Sequence, residues 1–205
     1  MKVVAINGSP RKNGNTRLLL EAVLEPLAKA GWETEYVQIG GKTIQGCRAC
    51  FKCWETKDNR CIFGGKDVFN EAFAKVLEAD AVILGSPTYF ADVSTEMKAF
   101  IDRAGFVAMA NGCKLAGKVG AAVVAVRRGG ATHVFDTINH LFFISQMVVP
   151  GSTYWNMGYG LEPGQVAGDD EALRNMAHLG QAVDWLGKAI AAAPTPYPLR
   201  KDGES

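Results

Sequence analysis

Val3-Val4-Ala5-Ile6-Asn7-Gly8-Ser9-Pro10 runs on through Arg11-Lys12-Asn13-Gly14-Asn15-Thr16 into a helix-periodic segment carrying Leu18, Leu19, Ala22, Val23 and Leu27. A short apolar run, a polar glycine-bearing turn and a 3.6-residue period read in that order as strand, loop and helix. Pro26 is expected to kink this helix or mark its last turns, with Gly31 ending it. The junction at residues 8–16 is where unpaired backbone N–H groups and a helix dipole favour an anion.

The same unit repeats along the chain. Glu35 to Ile39 reads as a second strand and Ala81-Val82-Ile83-Leu84 as a third, an unbroken apolar run of the kind buried on both faces of a parallel sheet. Val119 to Val126 and Met147 to Val149 are expected as the fourth and fifth strands. Helices are predicted from about Asp67 to Leu77, Thr95 to Met109, Thr132 to Ile144 and Asp170 to Ala192. Strand and helix thus alternate about five times, which predicts an α/β fold: a doubly wound, five-stranded parallel sheet with helices on both faces. Residues 1–193 are expected as one domain with a cysteine-rich insertion at 44–62, and 194–205 as a mobile tail.

Composition narrows the function classes. The chain has 205 residues, 48% of them hydrophobic, enough for a sizeable core, and a formal net charge of +1 gives no general field for nucleic acid. Nothing reads as a signal peptide or a membrane span, so a cytoplasmic setting is expected. Four of the five cysteines crowd into residues 47–61, which is no secreted disulfide framework.

The first loop is neither a Walker A motif, since Asn15 rather than lysine follows Gly14, nor a three-glycine dinucleotide fingerprint. Ser9, Asn13, Asn15 and Thr16, with Arg11 and Lys12 nearby, suit a terminal phosphomonoester; a polar turn capped by Asn15 or Thr16 is the plainer reading. In a sheet of order 2-1-3-4-5 a ligand sits at the carboxyl ends of the first and third strands. The third strand's loop, Ser86-Pro87-Thr88-Tyr89-Phe90-Ala91, offers aromatic rings to a flat heterocycle, unless Tyr89 and Phe90 merely begin packing the next helix. Arg127-Arg128-Gly129-Gly130 follows the fourth strand and is either a ligand edge or a solvated turn.

Gly8-Ser9-Pro10-Arg11 with Asn15-Thr16, then Gly85-Ser86-Pro87-Thr88-Tyr89-Phe90 and Met97-Lys98-Ala99-Phe100-Ile101-Asp102-Arg103, resemble the flavodoxin-like NAD(P)H-dependent FMN reductase family. With the cysteine loop, the likeness extends to the branch that includes the iron–sulfur flavoproteins. It spans roughly residues 1–190. The resemblance implies FMN with its phosphate on Ser9, Arg11, Asn13, Asn15 and Thr16. It places the ring against Pro87, Thr88, Tyr89 and Phe90, and its other side near Arg127, Arg128, Gly129 and Gly130. NAD(P)H is the implied co-substrate, and a quinone, nitro compound, metal ion or protein the acceptor. Hydride transfer requires no protein acid or base, so no catalytic residue is assigned. The near-neutral charge argues against an acidic, passive flavodoxin carrier.

Cys47, Cys50, Cys53 and Cys61 follow C-x2-C-x2-C-x7-C, a spacing that lets thiolates converge on one soft metal centre. The resemblance implies a [4Fe–4S] cluster served by a ferredoxin-type donor; a structural or redox-active thiol loop and a zinc site are the alternatives. Lys66-Asp67 stands where the family carries an acidic pair, a difference expected to concern helix capping. Phe51 and Trp54 would shield a cluster or bury the loop against a second subunit, and a homodimer or homotetramer is expected. Cys113 is expected as a packed free thiol, and His133, His140 and His178 fall in no metal or triad spacing. Asp102-Arg103 is a local ion pair or an interface contact. The run Tyr154-Trp155-Asn156-Met157-Gly158-Tyr159-Gly160 is expected to cap the ligand region or to meet a partner subunit.

Overall fold

The structure, a computed structural model, describes residues 1–199. Its elements run β1 (Lys2–Asn7), α1 (Asn15–Lys29), β2 (Glu33–Gln38), α2 (Lys52–Thr56), α3 (Phe69–Glu78), β3 (Ala81–Pro87), α4 (Thr95–Ala110), β4 (Val119–Val126), α5 (Ala131–Ile144), β5 (Met157–Tyr159) and α6 (Asp170–Ala191). A 3-10 turn at Gln165–Gly168 leads into α6. The five strands form one sheet of order β2-β1-β3-β4-β5, every pair parallel, as the alternation of elements predicts.

Side chains alternate across the pleat and build two cores. Val3, Ala5, Ile83 and Val123 face α1 and α6, meeting Leu19, Leu20, Val23, Leu179 and Val183. Val4, Ile6, Val82, Leu84 and Val124 face α3, α4 and α5, meeting Phe69, Phe73, Phe100, Val107 and Phe142. Each such side chain taken fully out of water contributes about 1.5–3 kcal/mol, so both faces of the central strands demand cover. The α1–α6 layer is close: a Cβ at Gly180 would fall 2.4 Å from the Val23 carbonyl oxygen. Pro26 sits in the last turns of α1, where Ala30 N–H still bonds its carbonyl, and Gly31 follows at φ +88°.

The fifth strand lies ten residues beyond its expected position. Val148 bridges Val119 at the start of β4, but Pro150 has no N–H to extend that ladder and the chain loops out. Pairing resumes at Met157↔Val124 and ends at Tyr159↔Val126. The cysteine segment also contains the short α2, where sequence reading predicts only loop. Residues 194–199 form no helix or strand, and 200–205 of the predicted tail lie outside the described residues.

Candidate functional site

β1 ends at the buried Asn7, whose side chain organises the loop that follows. Its Nδ2 donates to the Tyr36 hydroxyl at 2.6 Å and to Gln38 Oε1 at 3.0 Å, while its Oδ1 accepts from Ser9 N–H at 2.8 Å. Gln38 Nε2 in turn donates to the Ser9 and Gly40 carbonyls. The turn is so tightly clasped that a Cβ on Gly40 would fall 2.2 Å from Ser9 backbone atoms.

Beyond this turn α1 opens with Gly14 as its N-cap, without a side-chain cap and without an acidic residue in its first turn. Arg17 N–H donates to the Gly14 carbonyl, and the N–H groups of Asn15 and Thr16 are therefore left for an external anion. Asn15 does not cap the helix, and its amide is committed elsewhere. Nδ2 donates to the Glu162 carbonyl at 3.0 Å and Oδ1 accepts from Val166 N–H at 3.2 Å. Arg11 Nη1 donates to the Leu161 carbonyl at 2.8 Å. One side chain of the first loop and one at the start of α1 thus hold the segment after β5 over the helix end.

One cleft results, at the carboxyl ends of β1, β3, β4 and β5. Ser9, Arg11, Asn15 and Thr16 line one wall, Pro87, Thr88 and Tyr89 a second, and Ala125, Val126 and Arg127 the floor; Gly160 and Leu161 complete it. Ser9, Asn15 and Thr16 are buried. Thr88 N–H donates to the Ala125 carbonyl, but Thr88 Oγ1 is buried and has no partner.

Other residues read from the sequence stand outside this lining. Asn13 Oδ1 accepts from Arg17 Nη1 on the exposed side of α1. Phe90 is fully exposed at the tip of a turn closed by reciprocal Tyr89–Asp92 backbone bonds, with Phe90 and Ala91 at positive φ. Asp92 secures that turn through Val93 N–H, the Thr137 hydroxyl and His133. Burial raises its pKa, but these partners bring it below the usual carboxylate range. Gly130, at φ +89°, caps α5 and lets Ala91 approach: a Cβ there would lie 3.0 Å from Ala91 Cα. Arg128 joins Arg127, Tyr159 and Glu162 along an adjoining open groove, and Gly129 is exposed.

Gly160, the last residue of the run expected to cap the ligand region, does line the cleft, whereas sequence reading missed Leu161 because the strand before it is only three residues long. In the preceding aromatic run, Asn175 accepts from the Ser152 and Thr153 hydroxyls and donates to the Trp155 carbonyl. Tyr154 and Trp155 stay largely exposed beside the cleft rather than in it.

The cysteine loop forms a second cleft, against α4. Cys47, Cys50, Cys53 and Cys61 line it together with Gly46, Arg48, Phe51, Ile62, Phe63, Arg103, Phe106 and Val107. Asn70 clamps Cys61 by bonding both its N–H and its carbonyl, and Asn111 accepts from Asn59 N–H. Ala49, Phe51, Lys57 and Asn59 take positive φ, and the Phe51 and Trp54 rings meet Phe106 edge-on. Burial pushes the Cys53 thiol up, and Cys47, Cys50 and Cys61 push it the same way. Among the described residues no three His, Cys, Asp or Glu side chains stand at metal-holding distance. Asp102 pairs with Lys98, whereas Arg103 pairs with Asp67 at 2.5 Å, both side chains essentially buried. Burial pushes the Asp67 carboxyl up, but Arg103 and the Gln45 and Phe69 N–H groups outweigh it and hold it below the usual range.

Residues 1–162 match the family described as NADPH-dependent FMN reductase. The chain belongs to that family. An iron–sulfur flavoprotein of Methanocaldococcus jannaschii is 37% identical over 197 residues, covering 93% of this chain and 99% of the relative. An iron–sulfur flavoprotein of Archaeoglobus fulgidus is 35% identical over 184 residues, covering 89% and 79%. Among solved structures, an apo NADH:FMN oxidoreductase superposes with TM-score 0.63 at 20% identity, covering 97% of this chain and 94% of that one. The chain is a flavodoxin-like, FMN-dependent oxidoreductase. Among the described residues no helix is long and apolar enough to cross a membrane.

Proposed function

We propose that this oxidoreductase takes electrons from NADH or NADPH onto FMN and hands them to a quinone, a nitro compound, a metal ion or a redox protein in the cytoplasm. The observation that carries the reading is the cleft at the sheet's switch point, lined by an uncapped helix N-terminus and by the β3 loop in which the buried Thr88 hydroxyl has no partner. These residues fit FMN. Ser9, Arg11, Thr16 and the first-turn N–H groups of α1 would hold the phosphate, and Pro87, Thr88, Tyr89 and Arg127 would border the ring. Bound FMN supplies hydride acceptance and transfer of electrons singly or in pairs. Asn15 and Arg11 keep residues 161–166 in place, excluding water from the phosphate side. Arg127 and Arg128 lend the outer groove positive charge for an incoming nucleotide.

A second reading is favoured by four cysteines lining one cleft and by relatives named iron–sulfur flavoproteins. Four thiols among Phe51, Phe63 and Phe106 are a donor set suited to a [4Fe–4S] cluster, which supplies single-electron exchange. In that reading a ferredoxin-type donor serves the flavin. The exposed Phe51 and Trp54 support burial of the cysteine loop against a second subunit in a homodimer or homotetramer. Anaerobic purification followed by assays for FMN, iron and acid-labile sulfide tests both cofactors. Flavin without iron or sulfide leaves the nucleotide-dependent reading alone; failure to bind added FMN removes it.

A further inference from the structure

Arg103 lines the cysteine cleft with a side chain only 1% exposed. Its Nη1 donates to the Gln45 carbonyl at 3.1 Å and to Asp67 Oδ2 at 2.5 Å. The flat face of the guanidinium lies over the Phe69 ring, 4.2 Å from Cζ to the centroid. That leaves Nε and Nη2, both buried and both without a partner. In a guanidinium these two nitrogens share an edge, and their N–H bonds form a planar two-pronged donor. Buried donors left unmade are costly and uncommon, so two on one edge imply an acceptor that the folded chain does not itself provide.

The cleft says what that acceptor is. Apart from the cysteines, every side chain lining it is apolar or cationic, so sulfur is the side-chain acceptor available there. We infer that the free edge of Arg103 donates to sulfur in this cleft, the cysteinyl or inorganic sulfur of a bound [4Fe–4S] cluster, and raises its reduction potential. The inference rests on the cluster reading given above. Hydrogen bonds to sulfur favour the reduced, more negative cluster and so move its potential upward. Asp67 balances the charge of Arg103, so the influence comes from directed N–H groups rather than from net charge. Lysine would keep a cation beside Asp67 but has no second donor edge.

Full-length wild type and Arg103→Lys are reconstituted anaerobically with FMN, ferrous iron and sulfide, then assayed for iron and titrated electrochemically under electron paramagnetic resonance. The expected result is a loaded Arg103→Lys variant with a more negative cluster midpoint and iron loss to a chelator at least about tenfold faster than wild type. A midpoint and loss rate equal to wild type overturn the inference while leaving the cluster reading intact. Wild type that takes up neither iron nor sulfide overturns the cluster reading and this inference together.

A second measurement covers a variant that fails to fold. Arg48 is the other arginine lining the cleft, its guanidinium over the Phe63 ring. In Arg48→Lys protein labelled with 15N-arginine, the reduced cluster should show a 15N hyperfine coupling; its absence in cluster-bearing protein overturns the inference.

Discussion

Arg11 on the loop after β1 donates from Nη1 to the carbonyl of Leu161 on the loop after β5, at 2.8 Å, across 150 positions of sequence. With Asn15, which bonds Glu162 and Val166, it ties the two ends of the cleft together. The phosphate loop and the segment covering it therefore form one unit.

Asn15→Ala tests that coupling. It removes two hydrogen bonds from a buried amide and leaves the Val166 N–H without its acceptor, at a cost of about 1–3 kcal/mol. FMN affinity, measured by fluorescence titration of apoprotein, should fall by roughly 5- to 100-fold. Unchanged affinity would show that residues 161–166 do not support the flavin.

Thr88→Val separates a ligand group from a structural one. The hydroxyl has no partner within the protein, so replacing it should not lower apoprotein stability. The FMN complex should lose about 1 kcal/mol, roughly a fivefold rise in Kd. A lowered apoprotein melting temperature with unchanged FMN affinity would reverse that assignment.

Gly40→Ala should disturb the phosphate loop directly. The new methyl meets Ser9 backbone atoms at 2.2 Å, where no flexible side chain can yield. Overpacking of this kind costs about 1–3 kcal/mol, and FMN retention should fall with it. Denaturant unfolding and flavin content after gel filtration check the two effects.

The Asp67–Arg103 pair sets a pH dependence. The Asp67 carboxyl is held below its ordinary value in the folded chain, so its contribution is present above the unfolded pKa of about 4 and is lost as pH falls through the folded value. Unfolding free energy should therefore drop more steeply in wild type than in Asp67→Asn over that acid range. Arg103→Met should cost about 3–5 kcal/mol at neutral pH because it strands a buried carboxylate. Equal pH slopes in wild type and Asp67→Asn would contradict the account.

The three central strands were readable because Val3–Ile6, Ala81–Leu84 and Val119–Val126 are covered on both faces and carry unbroken apolar runs. β5 was not, since three residues at a sheet edge give no period and Pro150 ends the more apolar run at Met147–Val149. Loop position after β1 and β3 located the cleft from Ser9, Thr16 and Pro87. The Asn15 amide, committed to Glu162 and Val166, and the Arg103 partner, 36 residues away at Asp67, depend on tertiary contacts that no local pattern encodes. Helix spacing explains Lys98–Asp102 four residues apart, and the adjacent Asp102-Arg103 pair therefore points in two directions.

In the proposed function a nicotinamide nucleotide reduces flavin held between the β1 and β3 loops. Anaerobic rapid mixing of FMN-loaded protein with NADH or NADPH tests it most directly. At least one of the two should bleach the flavin absorbance stoichiometrically, at a rate that saturates with nucleotide concentration. Flavin that stays oxidised with both nucleotides, yet is reduced promptly by a reduced ferredoxin, would contradict the proposal.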